Sequence, residues 1–328
     1  MTVIIQMSTV SCYIHERALH PMIADKKPKI AVLGAHTSAY IMKCERLPTP
    51  GEYIVARCYD KNVDGGKGSN QVISAARLGA KTMLISRVGK DEEGSFLLDY
   101  LKKCNVDISN VSISEETHTG IGLAFMNANG LPLGATALGA NAEITCGDID
   151  IAKECIAQYD IILISLEIDV DVALYCAKIA KALGLKVIVN PSPADAVVDK
   201  RLDNVDIITP NEPEAKMMCG FEPSFIIDDS ELVNALVKKT GVENVIITLG
   251  DRGAVIADHS VCKHYMAPKV KAVDTSGAGD CFNATLAYFI GTGYAIDKAV
   301  EYAVKAASLS VTKKHVWPSY PSLEDVLR

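Results

Sequence analysis

The sequence predicts an α/β fold in which helices flank a central, mostly parallel sheet and a small β-sheet forms a lid over one edge. Three observations predict it. Short β-branched runs alternate with amphipathic helical stretches along most of the chain, the pattern of βαβ units. Two glycine-rich segments, Gly65–Gly68 and Gly277–Gly279, each lead from a loop into a helical stretch. Two further segments, about 42–64 and 120–134, have strand character without helical periodicity.

Residues 1–28 precede this pattern. Met1–Ile14 is fairly apolar, but the lysines arrive only at Lys26, Lys27 and Lys29, the wrong order for a secretory signal. The segment reads as an N-terminal extension of unknown role, with Met7 and Met22 as alternative starts. One large domain, 29–328, follows, and its first strand is Ile30–Leu33. Met42–Val63, interrupted by Pro48, Pro50 and Gly51, is the first lid segment, and Gln71–Leu78 the first helix. Met83–Ser86 and Glu93–Lys103 give the next strand and helix. Gly120–Gly134 reads as a hairpin around Asn127-Ala128-Asn129-Gly130 and completes the lid. Strands Ile161–Ser165 and Lys186–Val189 bracket a helix at Val170–Leu183. Strands Ile207–Thr209, Val245–Thr248 and Ala254–Ile256 alternate with helices Glu212–Met218 and Glu231–Thr240, and helices Ala278–Ile290 and Asp297–Lys313 end the pattern. In such sheets ligands lie beyond the carboxyl ends of the strands. A lid there excludes water where hydrolysis competes, although the same segments are compatible with plain edge strands.

At 328 residues, 49% hydrophobic and 22% charged, the chain buries a large core. A formal charge of -7 and no Lys/Arg run longer than a pair argue against nucleic acid and for a small substrate. The ten cysteines include no Cys-x-x-Cys, so neither a zinc knuckle nor a thioredoxin-like site is indicated, and reduced thiols point to a cytoplasmic location. No apolar run approaches the roughly 20 residues that cross a bilayer.

The segment Asp274-Thr275-Ser276-Gly277-Ala278-Gly279-Asp280 places glycines and a carboxylate at a helix start. There the backbone N–H groups lack intrahelical partners and the macrodipole is positive, which suits a phosphate or a developing negative charge. Taken alone, Asp280 also fits a first-turn acid and the glycines a tight turn. Cys281 beside it reads as a small core residue, or as a thiol acidified by the helix start. The segment Asp64-Gly65-Gly66-Lys67-Gly68-Ser69-Asn70-Gln71 likewise lets backbone approach a ligand and supplies a cation and an amide. Neither segment is Gly-x-x-x-x-Gly-Lys-Ser/Thr, and no Gly-x-Gly-x-x-Gly follows the first strand, which disfavours a P-loop NTPase and a Rossmann dehydrogenase.

Together these residues resemble the ribokinase-like family of carbohydrate and nucleoside kinases (phosphofructokinase-B type), its ribokinase branch most closely. The resemblance runs from Lys29 to the C-terminus. It includes Pro50-Gly51-Glu52, Ala75-Ala76-Arg77-Leu78-Gly79-Ala80, Val88-Gly89-Lys90-Asp91, Gly139-Ala140-Asn141-Ala142, Leu166-Glu167, Asn190-Pro191-Ser192-Pro193-Ala194, Pro210-Asn211-Glu212-Pro213-Glu214 and Thr248-Leu249-Gly250-Asp251-Arg252-Gly253, besides the two glycine segments. It implies ATP-dependent phosphorylation of a sugar hydroxyl. Asp280 is implied as the general base, and Gly277, Ala278 and Gly279 as the anion hole. Phosphoryl transfer chiefly needs positioning and charge stabilisation, which such a helix start offers. The same position is expected to lower the Asp280 pKa and keep it ionised at neutral pH. Asn211 and Glu214 are implied to organise Mg²⁺ through water, and Thr248, Gly250 and Gly253 to line the ATP site. Gly66, Lys67, Asn70 and Glu167 are implied sugar contacts. A potassium ion is implied near Asp274, Ser276, Ser310, Lys313, His315 and Ser319, mostly through backbone oxygens, and His315 itself reads as a surface or turn residue. Ribokinases often pair their lids, so a homodimer through the lid is a further implication.

One stretch departs from the family. Where ribokinases carry Gly-Ser-x-Asn-x-Asp, this chain has Gly34-Ala35-His36-Thr37-Ser38-Ala39, so the sugar-binding Asn and Asp become Thr37 and Ala39. A site built around hydroxyls loses most when their pairing fails. The expected activity is therefore a sugar kinase, with D-ribose to ribose 5-phosphate the leading single reaction. Another sugar, a polyol or a nucleoside is the alternative, with His36 or Ser38 as replacement contacts. A non-catalytic sugar or nucleotide sensor is the reading from another class, and an intact Asp280 argues against it.

Overall fold

Strand β1 (Lys29–Leu33) lies deep in the molecule because Ile30-Ala31-Val32-Leu33 is apolar on both faces, as a strand covered on both sides must be. A computed structural model describes residues 27–128, 132–198, 200–258 and 261–328 of the chain. The further strands are β2 (Thr37–Lys43), β3 (Cys58–Gly65), β4 (Lys81–Gly89), β5 (Asp107–Ser114), β6 (Gly120–Met126), β7 (Pro132–Ala137), β8 (Ile161–Ser165), β9 (Lys186–Asn190), β10 (Ile207–Ile208), β11 (Asn244–Thr248), β12 (Ala254–Asp258) and β13 (Val261–Tyr265). Nine of them form one sheet in the order β13-β12-β11-β10-β9-β8-β1-β4-β5. From β11 to β5 all pairings are parallel, and β12 and β13 are added antiparallel at one edge.

Helices cover both faces. On one, Leu33, Ile85 and Ile164 pack with apolar residues of the helices Cys146–Ile156, Val170–Ala182 and Asp229–Thr240. On the other, Ile30, Val32 and Leu84 meet the helices Lys67–Arg77, Ala278–Gly291 and Ile296–Ser310. The fold predicted from the sequence, a mostly parallel sheet between helices with a small second sheet, is the one observed.

The small sheet has the order β3-β2-β6-β7. Its central pair, β2 and β6, is parallel, and the outer pairs are antiparallel. Tyr40 of β2 donates to Glu93 Oε1 (2.7 Å) and Lys61 of β3 reaches the same oxygen (2.9 Å), tying this sheet to the helix Glu92–Lys103.

Several local expectations are corrected. Residues 44–57 form no strand, since Pro48 and Pro50 cannot complete a ladder and Gly51 holds φ of 84°; β2 instead begins earlier, at Thr37. The last long helix stops at Ser310 rather than Lys313. Strands β5 and β13 and the helix Cys146–Ile156 were not foreseen, although Thr145 and Asp148 form a reciprocal capping box at that helix start. The tip of the hairpin around Asn129-Gly130 and the extension 1–26 lie outside the described residues.

Candidate active site

The helix Lys67–Arg77 starts against the exit of β1 because neither backbone has a side chain there: a Cβ on Gly68 would lie 2.4 Å from the carbonyl carbon of Gly34. This contact presents the first two turns of the helix to the start of the helix Ala278–Gly291. Gly277 caps that second helix with φ of 72°, a conformation that costs a glycine little, and a Cβ on it would strike Val316. A Cβ on Gly279 would meet nothing within 4 Å, so protein packing leaves the space beside this turn open.

Asp280, in the first turn, is 7% exposed. Its Oδ2 accepts from Asn70 Nδ2 (2.9 Å) and its Oδ1 from Gln71 Nε2 (3.1 Å). Asn70 Oδ1 in turn accepts from the indole N–H of Trp317 (2.8 Å). Lys67 forms an ion pair with Glu167, Nζ to Oε1 at 3.0 Å, and its backbone N–H donates to Oε2 of the same carboxylate (2.7 Å). Burial pushes the Asp280 pKa up, and although Lys67 and the two amide donors pull it down, it settles at about 6, with Glu167 adding to the rise. The expected lowering is therefore corrected: desolvation outweighs the helix start. Above about pH 6 the carboxylate is still mainly ionised. Burial also works against the Lys67 ammonium, but Glu167 and Asp280 outweigh it and raise its pKa.

A cleft of about 250 Å³ opens here, lined by Lys67, Asp280 and the Gly277-Ala278-Gly279 turn on one side. Asn211, Glu214 and Thr248 line it on another, and Asn190, Ser192, Thr209, Thr275 and Asn283 contribute as well. Ala278 donates its N–H to Thr275 O at 3.3 Å. Among the described residues, the amides of Gly279 and Asp280 find no backbone acceptor, so these first-turn donors are left for a ligand. Asn211 and Glu214 form a capping box on the helix Glu212–Met218, Asn211 N–H to Glu214 Oε2 and Glu214 N–H to Asn211 Oδ1, both 2.8 Å. Thr248 lines the cleft, whereas Gly250 and Gly253, in the turn that follows it with φ of 62° and 90°, are not among its lining residues.

Asp274 and the C-terminal segment also meet. Val273 and Asp274 donate their N–H groups to Val311 O, and Asp274 accepts from Ser276 N–H (3.0 Å) and His315 N–H (3.3 Å). The hydroxyls of Ser310 and Ser319 donate to the carbonyls of Ala307 and Val316, and Lys313 donates its N–H to Ser310 O. His315 is an exposed turn residue with φ of 66°. Among the described residues no group of three His, Cys, Asp or Glu is placed to hold a metal ion.

Thr37 and Ala39 do not line the cleft. Thr37 pairs with Gly65 and Gly120, beside the Gly66 cap of the helix Lys67–Arg77. Ala39 pairs with Gly122 farther out on the small sheet, past a bulge. His36 and Ser38, expected as replacement contacts, are both 0% exposed. His36 Nδ1 bonds Ser69 Oγ (3.1 Å), and burial lowers its pKa to about 4, so it holds the turn rather than facing a ligand. Cys281 is buried, which pushes its thiol up to about 12 and removes the acidified-thiol reading. Sequence reasoning gave no role to Gln71 or Trp317. Gln71 sat within a quoted motif, whereas Trp317, far from it in the chain, gave no signal.

A family model described as pfkB family carbohydrate kinase matches residues 27–323. The chain belongs to this family. It is an ATP-dependent carbohydrate kinase. It is 33% identical over 299 residues to a ribokinase of Staphylococcus aureus, covering 91% of this chain and 98% of that protein. It is 31% identical over 296 residues to a deoxyribokinase of Salmonella typhi, covering 90% and 96%. The structure of Arabidopsis thaliana ribokinase complexed with ribose and ATP superposes with a TM-score of 0.79 at 27% identity, covering 92% of this chain and 98% of that one. No helix among the described residues is long and apolar enough to cross a membrane.

Proposed function

We propose that this kinase transfers the γ-phosphate of ATP to a hydroxyl of a small sugar, with D-ribose as the leading substrate and Asp280 as the base. The observation that carries this reading is the buried Asp280 carboxylate held by Asn70 and Gln71 at a helix start with free amides. In its ionised form Asp280 takes the proton of the attacking hydroxyl. The amides of the Gly277–Gly279 turn and of Asp280, with the Lys67 ammonium, stabilise charge on the transferring phosphoryl group. The Lys67–Glu167 pair offers a donor and acceptors to sugar hydroxyls. Asn211 and Glu214 suit Mg²⁺ held through water: the capping box uses Glu214 Oε2, and the ion usually keeps several waters and few carboxylates. When bound, it neutralises phosphate charge. The turn joining Asp274 to Val311 and His315 suits a potassium ion held by backbone oxygens.

The small sheet serves as the lid. Thr37 and Ala39 sit on its β2, so the sugar-facing polar groups of the family are reduced there. Ala39 shares a row with Gly122 and Thr136, and a Cβ on Gly122 would lie 3.8 Å from that of Ala39 and 3.6 Å from Thr136 Oγ1. This row supports a second reading, a sugar lacking one hydroxyl or bearing extra bulk, and the deoxyribokinase relative is consistent with it. The row Tyr59–Met42–Phe125–Leu133, three positions farther along and on the opposite face from Ala39, is exposed and apolar, which supports pairing of two lids in a homodimer. Turnover of ribose, deoxyribose, ketohexoses, polyols and nucleosides with ATP tests the substrate. Ribose is expected to lead. A nucleoside turned over far better than any free sugar overturns the sugar assignment.

A further inference from the structure

Trp317 is the only tryptophan in the chain. It lies on the short helix Val316–Ser319, more than 200 residues from the helix carrying Asn70, and is 2% exposed. Its ring packs on Tyr100 with centroids 4.5 Å apart and lies 6.2 Å from the His36 ring. Its indole N–H donates to Asn70, whose other amide atom meets Asp280.

An indole nitrogen only donates, whereas an amide side chain presents either an oxygen or an NH₂ group. The Asn70 atom facing Trp317 must therefore be oxygen, and the atom facing Asp280 must be nitrogen. That nitrogen can satisfy a carboxylate oxygen that accepts, but not a carboxyl O–H. Gln71 is oriented in a parallel way from the other side: Asn190 Nδ2 donates to Thr209 O (3.2 Å), which turns Asn190 Oδ1 toward Gln71 Nε2 (3.4 Å) and so Gln71 Nε2 toward Asp280. Each Asp280 oxygen thus faces a donor whose orientation is set one residue farther away.

We propose that Trp317 is a positioning residue for phosphoryl transfer: by fixing the Asn70 amide it keeps Asp280 in its ionised, proton-accepting form. The proposal rests on the reading of Asp280 as the base. Lys67 and Glu167 are the charged groups facing Asp280, and Glu214 shares the cleft. Around Trp317 the titratable or charged neighbours are His36, Tyr100 and Arg77, whose Nη1 donates to Trp317 O. Without the indole donor, Asn70 is free to turn its oxygen to a protonated Asp280, so the carboxyl holds its proton to higher pH.

Trp317→Phe keeps an aromatic ring against Tyr100 and removes the N–H donor together with part of the buried ring volume. Its acid limb in the pH profile of kcat/KM is expected about one pH unit above the wild-type limb, with the loss of activity near neutral pH recovered at alkaline pH. A loss that is uniform across pH would make Trp317 a packing residue and overturn the proposal. A second measurement needs neither a variant of Trp317 nor turnover. In ¹⁵N-labelled wild-type protein the single indole N–H resonance should titrate with the Asp280 midpoint and lose that titration in Asp280→Asn. A resonance that stays still between pH 5 and 8, or that moves identically in Asp280→Asn, overturns it. If the resonance titrates as expected while no sugar or nucleoside is phosphorylated, the relay stands and the proposed function fails.

Discussion

At the helix end of the cleft, Asp280 receives one N–H on each oxygen, and the donors come from a helix that itself leans on Trp317 and Asn190. In the small sheet, by contrast, Thr37 and Ala39 sit on a strand that contributes neither to the lining of the cleft nor to the buried network around Asp280. The first region is held by groups from four distant parts of the chain, so a change in one leaves a buried polar atom unsatisfied in another. The second lies on a strand whose outward row is exposed, where Asp-to-Ala exchange costs the fold little. A kinase of this build can alter its sugar while keeping its chemistry.

Three substitutions probe that contrast. Asp280→Asn should lower kcat about 10³-fold, the scale of a lost general base, while nucleotide binding measured by calorimetry persists. Equal loss of both would mean that the site collapsed rather than lost its base. Lys67→Met removes a donor and leaves Glu167 without its cation, so kcat/KM for the sugar should fall roughly 10²-fold. Ala39→Asp restores a carboxylate on the small sheet and should change kcat/KM for ribose relative to deoxyribose by about tenfold, with the KM for ATP unchanged. If Ala39→Asp altered ATP use as strongly as sugar choice, the two ends would not be separable.

The same contrast governs what could be read from the sequence. The alternation of strands and helices fixed the main sheet because its strands are buried on both faces and their apolar runs are unbroken. Val261–Tyr265 escaped notice because it is an edge strand with a polar, half-exposed pattern, and Asp107–Ser114 because serines and asparagine interrupt its apolar residues. Asp280 was legible because local features, the glycines and a helix start, mark it. Its raised pKa was not, since burial comes from packing by residues hundreds of positions away. Trp317 was invisible for the same reason: its partner Asn70 lies near the other end of the chain. Glu214 was read as a ligand-organising acid, and the structure adds that it also caps its own helix.

The pH dependence of kcat/KM in the wild-type enzyme tests the central claim most directly. A base must be ionised to accept the hydroxyl proton, and burial has moved Asp280 upward, so activity should be full at neutral to alkaline pH and fall as the pH drops through about 6. An acid limb near the ordinary aspartate value, about 4, or a profile that is flat across this range, would contradict Asp280 as the buried base.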